Sequence, residues 1–138
     1  MARIMAIDYG QKRTGIAVTD PLQIIATGLQ TVPSHTIIGF ITDYLQTELV
    51  ECIVVGEPRD MMNQASDSAR FVEPFVKKLR SSFPDMKIER FDERFTSKMA
   101  FQSMIDAGLN RKHRQNKALV DTISATILLQ SYLENKNR

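Results

Sequence analysis

Residues 3–29, RIMAIDYGQKRTGIAVTDPLQIIATGL, decide how the chain folds. They hold three short apolar runs, at residues 3–7, 14–19 and 24–29, which turn-forming residues separate. Runs spaced this closely are expected to pair as antiparallel neighbours, because a parallel connection needs a long crossover. The sequence therefore predicts a three-stranded meander at the start of the chain.

Helical and strand patterns alternate after this meander. Apolar spacing predicts a helix over residues 35–49 with Ser34 or His35 as its cap, and a second helix from Ala65 to Leu79. A strand buried on both faces is predicted at residues 51–56, and a short strand at residues 87–91.

Two further helices complete the predicted order of elements. Thr96 caps a helix that runs to Ala107, with Gly108 as its stop, and a last helix covers about residues 116–134. The last helix is apolar around nearly its whole circumference, which indicates burial. We therefore predict an α/β fold with a five-stranded mixed sheet, a three-strand antiparallel meander then two parallel strands, and helices on both faces.

Length and composition indicate one ordinary cytoplasmic domain spanning residues 1–138. No apolar run approaches the ~20 residues of a membrane span, and the N-terminus is too polar for a signal peptide. Cys52 is the single cysteine and lies in an apolar run, so we expect a buried thiol in a reducing compartment. With one cysteine and two histidines, the chain has too few of the usual ligands for a structural zinc site.

Basic residues are clustered although the net charge is only +2. One cluster lies in residues 109–117, LNRKHRQNK, and a smaller one is Lys12 with Arg13. Phosphate binding requires such clusters, but an ordinary solvated loop explains them equally well.

Three carboxylates stand out, and each has a plain alternative. Asp8 ends the first strand beside Gly10, where a phosphate could approach, but it could also be a simple turn residue. Asp121 lies on the apolar last helix and needs a partner, a metal or a water-filled cleft, unless it caps that helix. Glu93 follows the last strand, where Asp92 is a second candidate and a solvated turn is the alternative.

The predicted sheet can bring these three acids together. The carboxyl ends of parallel strands share one edge with the ligand. Clustered carboxylates repel one another unless a cation neutralises them, and oxygen ligands suit Mg²⁺ or Mn²⁺. Such ions can activate water against a phosphodiester. Asp8, Glu93 and Asp121 are therefore predicted as both metal ligands and catalytic residues.

Four motifs together resemble the YqgF family: DYGQKRTGIAV at residues 8–18, VVGEP at 54–58, DERFTS at 92–97 and KALVDTISATILLQSYL at 117–133. Its members are described as Holliday-junction resolvases or as nucleases that process precursor small-subunit ribosomal RNA. The resemblance covers essentially the whole chain. It implies a ribonuclease H-like fold, a bacterial cytoplasmic source, a role in ribosome maturation, and acidic motif positions at Asp8, Glu93 and Asp121.

The same hypothesis assigns the basic residues to the nucleic-acid backbone. Thr96 would position either its turn or a substrate phosphate. One departure from the family is Glu57, which stands where the family usually has leucine and adds a fourth acid; it leaves the contacts of loop 57–63 open. The predicted substrate-binding residues are Lys12, Arg13, Arg59, Arg94, Thr96, Arg111, Lys112, Arg114 and Lys117.

The sequence leaves three functions to be compared. A metal-dependent nuclease is the first, with RNA favoured over branched DNA by the resemblance alone and ribosomal precursor particles as its partners. A non-catalytic RNA-binding assembly factor would use the same basic loop. Phosphate transfer from a nucleotide is the third, but actin-like ATPases need two domains, which 138 residues do not provide. Both a monomer and a homodimer are compatible with the sequence.

Overall fold

Five strands form one mixed sheet in the order β3-β2-β1-β4-β5. The computed structural model describes residues 2–57, 69–93 and 117–136. The strands are β1 (Arg3–Tyr9), β2 (Arg13–Thr19), β3 (Ala26–Pro33), β4 (Val50–Glu57) and β5 (Lys87–Asp92). The helices described are a 3₁₀ turn (Ser34–Thr36), α1 (Ile37–Thr47), α2 (Ala69–Ser82) and α3 (Lys117–Lys136).

Strand β1 lies at the centre of the sheet. It pairs antiparallel with β2, which pairs antiparallel with β3. On its other side it pairs parallel with β4, and β4 pairs parallel with β5. The predicted fold, a three-strand meander followed by two parallel strands, is therefore confirmed.

Strand alternation creates a core on each face of the sheet. Met5 and Ile7 of β1 face the cluster that includes residues of α1 and α2. Ile4 and Ala6 face the cluster that includes α3. β4 contributes to both cores, as predicted for a strand buried on both faces. Helices therefore cover both faces of the sheet.

Strand β3 begins later and ends later than the predicted run at residues 24–29. The Asp20 carboxylate accepts hydrogen bonds from the backbone N–H groups of Leu22, Ile24 and Ile25, at 3.1, 2.8 and 2.7 Å. These bonds hold residues 20–25 in a turn, since an aspartate can replace backbone partners in this way. The apolar residues Ile24 and Ile25 consequently lie exposed outside the strand.

The predicted cap of the first helix is wrong. A 3₁₀ turn precedes α1, and neither Ser34 nor His35 caps the helix through its side chain. The Ser34 hydroxyl instead donates to the Gly10 carbonyl at 2.6 Å and shares a 2.8 Å hydrogen bond with the Thr14 hydroxyl. Ser34 therefore fastens the β1–β2 turn, and α1 ends at Thr47, two residues before the predicted end.

Helix α3 extends to Lys136 and is buried around most of its middle turns. Leu128 and Leu129 pack into the sheet core, while Ile127 and Ser131 are also buried. Its predicted burial is thus confirmed. Cys52 is a buried free thiol, also as predicted, and burial raises its pKa. The described helices include none of the length and apolarity that a membrane span requires.

Two sequence predictions fall on residues that the structure does not describe. The predicted beginning of the second helix at Ala65 lies outside the described residues, and α2 is described from Ala69. The predicted helix from Thr96 to Ala107, with its stop at Gly108, also lies outside them.

Candidate active site

Asp8 lies on the central strand, on the face of the sheet that α3 covers. Its neighbours Ala6 and Ile4, two and four residues earlier, belong to the α3 core, and strand alternation places Asp8 on the same side. In the β1–β2 register Asp8 lies opposite Gly15. The carboxylate is therefore near the end of β1 and within reach of α3.

Glu93 follows the last residue of β5 and lies beside Asp8. Phe91, two residues earlier, packs into the α3 core, so alternation continues to this face. The Glu93 carboxyl is hydrogen-bonded to that of Asp8. A Cβ atom on Gly56 of β4 would lie 2.6 Å from Glu93 Oε1, so the absence of a side chain at Gly56 makes room for Glu93.

The Asp8–Glu93 pair is electrostatically unfavourable when both groups are charged. Burial, followed by the nearby Asp8 charge, raises the pKa of Glu93 to about 8. Burial is also the main cause that raises the pKa of Asp8, and the Asp121 charge adds to it. The hydrogen bond between the two carboxyls requires a proton, so without a cation the pair retains one at neutral pH.

Asp121 comes close to this pair because α3 lies directly on strand β2. A Cβ atom on Gly15 would overlap with the Asp121 carbonyl oxygen. At the next residue of α3, the Thr122 hydroxyl shares a 2.6 Å hydrogen bond with that of Thr31 on β3. The glycine opposite Asp8 therefore allows the helix that carries Asp121 to approach.

Arg13 holds the Asp121 carboxylate. Arg13 Nε lies 2.8 Å from Asp121 Oδ2, and the two side chains are 40% and 26% exposed. Within residues 2–57, 69–93 and 117–136, no three Asp, Glu, His or Cys side chains are arranged to ligate one metal ion. The structure thus joins Asp8 to Glu93 directly, whereas Asp121 interacts with Asp8 through its charge and is bonded to Arg13.

The other two acids noted in the sequence lie on the opposite face. Val55 faces the α1–α2 core, and alternation places Glu57, two residues later, on the same side. Asp92 is the register partner of Glu57 and is adjacent in sequence to Glu93. Neither acid therefore shares the face of Asp8 and Glu93.

The predicted phosphate contacts are described only in part. Lys12 is exposed in the turn between β1 and β2, close to Arg13. Lys117 is the first residue of α3. The remaining predicted contacts lie outside the described residues: Arg59, Arg94, Thr96, Arg111, Lys112 and Arg114.

Arg90 was missed by the sequence analysis. Its Nη1 donates to Glu73 Oε1 at 2.7 Å, while its buried Nε and Nη2 have no hydrogen-bond partner among the described residues. Its positive charge lowers the pKa of Glu93 and opposes the effects of burial. The pattern KIERF held a usable signal, because Arg90 and the apolar Ile88 share one face of the strand.

The five-stranded mixed sheet with helices on both faces is a ribonuclease H-like fold. The solved structure of RuvC from Thermus thermophilus, in complex with a Holliday junction substrate, superposes with a TM-score of 0.58. The superposition covers 98% of this chain and 96% of RuvC at 13% sequence identity, and so supports the fold.

Residues 2–135 match the RuvX family, described as Holliday junction resolvase, and the chain belongs to that family. It is 60% identical over 136 residues to a protein of Flavobacterium johnsoniae named "Putative pre-16S rRNA nuclease", covering 99% of each chain. A protein of Phocaeicola vulgatus with the same name is 61% identical, covering 99% of this chain and 98% of that protein. The resemblance seen in the sequence motifs, and membership of a nuclease family, are thereby confirmed.

Proposed function

We propose that this protein is a metal-dependent nuclease that hydrolyses RNA phosphodiester bonds, and that it processes the 5′ end of precursor 16S ribosomal RNA. The observation that carries the proposal is the partly buried, hydrogen-bonded pair of Asp8 and Glu93, with Asp121 nearby at the same sheet edge. The names of the relatives favour ribosomal RNA as the substrate.

The donor groups fit a magnesium or manganese ion. Carboxylate oxygens are the ligands that these hard cations prefer. Clustered acids without a cation reduce their repulsion by sharing a proton, as the carboxyls of Asp8 and Glu93 do here. A divalent cation would replace that proton. When bound, Mg²⁺ or Mn²⁺ supplies water activation and stabilisation of the leaving oxygen.

Each described residue then has a distinct role. Asp8 and Glu93 form the preorganised part of the metal site, and Asp121 completes it after exchanging its bond to Arg13. Arg13 and the exposed Lys12 are then available to bind phosphates beside the scissile bond. Hydrolysis forms a bond from water oxygen to phosphorus and breaks the bond from phosphorus to the leaving oxygen, which takes up a proton.

We further place the protein in the cytoplasm, as one domain over residues 1–138 that acts on ribosomal precursor particles. A single copy supplies Asp8, Glu93 and Asp121, so the chemistry requires no second subunit. A homodimer would be needed only for paired cuts in a symmetric substrate. Resolution of branched DNA is the second candidate function, and the description of the family favours it.

The test is a cleavage assay with two substrates in parallel. An end-labelled RNA spanning the mature 16S 5′ end and a four-way DNA junction are each incubated with Mg²⁺ or Mn²⁺. We expect RNA cleavage that stops on chelation and falls by at least about a hundredfold in Asp8→Asn. Equal activity of Asp8→Asn and wild type would remove Asp8 from the mechanism.

The remaining outcomes separate the alternatives. Cleavage of the junction but not of RNA would favour a resolvase. Tight RNA binding with neither metal-dependent cleavage nor calorimetric metal binding would favour a non-catalytic assembly factor.

A further inference from the structure

A cavity of about 210 Å³ lies across the sheet from the acids. It is formed where the end of β1 meets the beginning of α1 and the exposed side of α2. Its volume is below the ~300–1,000 Å³ typical of sites for drug-sized ligands, so it suits a group smaller than these. The lining residues that matter to the argument are Tyr9, Ser34, His35, Phe71, Phe75 and Lys78.

The cavity and the acid pair both lie at the end of strand β1. Tyr9 follows Asp8 in β1, and strand alternation directs the two side chains to opposite faces of the sheet. Ser34 binds the β1–β2 turn twice, through its N–H to the Lys12 carbonyl at 2.9 Å and through its hydroxyl to the Gly10 carbonyl. The acid pair and the cavity therefore lie at the same end of β1, on opposite faces of the sheet.

Three aromatic rings line the cavity, those of Tyr9, Phe71 and Phe75. The Tyr9 and Phe75 rings are stacked, with their centroids 4.2 Å apart and an interplanar angle of 7°. The guanidinium of Arg70 lies 5.1 Å from the centroid of the Phe71 ring. Proteins that bind single-stranded nucleic acid use aromatic faces of this kind, supplemented by arginine, as platforms for bases.

The charge around the cavity complements a nucleic-acid backbone. Lys78 is exposed at its edge, and among the described residues that line it none is acidic. Glu73, the acid of α2 near this region, is bonded to Arg90 at 2.7 Å. A phosphodiester chain entering the cavity would meet a cation and no opposing carboxylate from these residues.

We propose that this cavity binds one unpaired base of the RNA strand whose adjoining phosphate lies at Asp8. The inference rests on the proposed nuclease function and deepens it. Stacking on Phe71 and Tyr9 accepts any base, so the site selects for an unpaired nucleotide rather than for a sequence. The site therefore requires a single-stranded segment next to the bond that is cut.

An abasic scan tests the proposal without relying on cleavage. The probe is a fluorescent single-stranded RNA of about 16 nucleotides spanning the mature 16S 5′ end, titrated in a chelator. We expect one abasic position to weaken wild-type binding by about 5- to 150-fold, the range for a single stacked base. Phe71→Leu should weaken binding of the intact RNA similarly and should no longer respond to that abasic position.

Matched variants separate the cavity from general effects. Phe83→Leu shortens another half-buried ring just after α2, and Lys77→Gln removes the charge next to Lys78. Both should keep the full abasic response, whereas Lys78→Gln should lower the salt slope of binding by about 1. Phe71→Tyr keeps the ring and should keep the response, and an unfolding curve of Phe71→Leu that matches wild type excludes misfolding as the cause of its loss.

The contrary results are distinct from those of the nuclease test. An abasic penalty that is equal in Phe71→Leu and wild type would overturn the base site, even if RNA is cleaved. Tight binding of a free nucleotide with no abasic response along the strand would also overturn it. An abasic response that Phe71→Leu removes, without any metal-dependent cleavage, would support the base site and contradict the nuclease.

Discussion

The most informative side chains are the carboxyls of Asp8 and Glu93, which repel each other when both are charged. Asp8 and Glu93 are partly buried, hydrogen-bonded to each other and shifted to higher pKa. Burying two acids side by side costs stability unless a cation or a proton neutralises them. A folded protein that retains such a pair is most simply explained if the pair binds a cation during its function.

Arg13 is expected to compete with metal for Asp121. Replacing Arg13 by glutamine removes the 2.8 Å ion pair and leaves the carboxylate free to ligate. The pair is partly exposed, so the gain is modest, and we expect Mn²⁺ affinity in the absence of RNA to rise about 2- to 5-fold by calorimetry. RNA binding should weaken in the same variant.

Lys12→Gln provides the control, since it removes an equal charge from the same turn without breaking the bond to Asp121. A smaller change in Mn²⁺ affinity is expected there. Equal gains in the two variants would mean that only the general positive potential of the turn matters.

At the scale of elements, two glycines on neighbouring strands allow helix α3 to pack closely against the sheet. Gly15 lets the backbone of Asp121 approach β2. Gly28 on β3 makes room for the side chain of the following residue, because its Cβ would lie 2.6 Å from Thr122 Cγ2. The position of the third acid thus depends on close contact between a helix and two strands.

Gly15→Ala should push α3 away from β2 and displace Asp121 from the candidate active site. The added methyl group meets backbone, which cannot rotate away, so we expect the free energy of unfolding to fall by about 1–3 kcal/mol. RNA cleavage should fall by about a hundredfold, because Asp121 is displaced from the acid pair. Urea denaturation and cleavage rates measure the two effects.

Gly39→Ala is the matched control. Gly39 lies in α1, and a Cβ added there meets nothing within 4 Å. We expect it to stabilise the protein by about 0.5–1 kcal/mol without altering cleavage. If Gly15→Ala behaved in the same way, close approach at Gly15 would be unnecessary for the site.

The elements differ in how far the sequence determined them. The meander was predictable because closely spaced apolar runs leave few ways to pair. The beginning of β3 was not, since the Asp20 carboxylate, rather than hydrophobicity, holds residues 22–25 in a turn. Ser34 looked like a helix cap, but it bonds to Gly10, which is distant in sequence.

The candidate site was also predictable from the sequence only in part. The meeting of Asp8 and Glu93 follows from parallel strands that end at one edge, a rule that sequence order can supply. The ion pair between Arg13 and Asp121 joins residues 108 positions apart, which no local pattern reveals. Sequence reasoning therefore located the acids but not the cation that holds one of them.

At the scale of the whole molecule, the sheet separates two surfaces that meet at one edge. The acids lie on the α3 face and the aromatic cavity on the α1–α2 face, at the end of β1. Burial of the acid pair also links the stability of the entire protein to pH and to metal.

The metal-free protein should lose stability as pH rises. Glu93 has a pKa of about 8 in the folded protein and an ordinary value of 4.5, so the folded state retains a proton that the unfolded chain has released. The free energy of unfolding therefore falls between these two pH values, by about 1 kcal/mol or more. Thermal denaturation in a chelator should show a declining Tm over this range.

Glu93→Gln and added Mg²⁺ should each reduce this decline. The variant has no carboxyl at position 93, while Asp8 remains, so its Tm should change less with pH than that of wild type. Saturating Mg²⁺ binds the folded state and should raise the wild-type Tm at pH ~8 by several degrees. A Tm that is independent of Mg²⁺ in wild type would contradict a metal site at this pair.

The rate of RNA cleavage in Glu93→Gln, compared with Asp92→Asn, tests the central claim most directly. The two acids are adjacent in sequence but lie on opposite faces of the sheet, and only Glu93 is bonded to Asp8. With Mg²⁺ present, we predict that Glu93→Gln lowers the rate by about a hundredfold or more, while Asp92→Asn stays within about threefold of wild type. Equal rates in the two variants would contradict the assignment of the Asp8–Glu93 pair as the catalytic metal site.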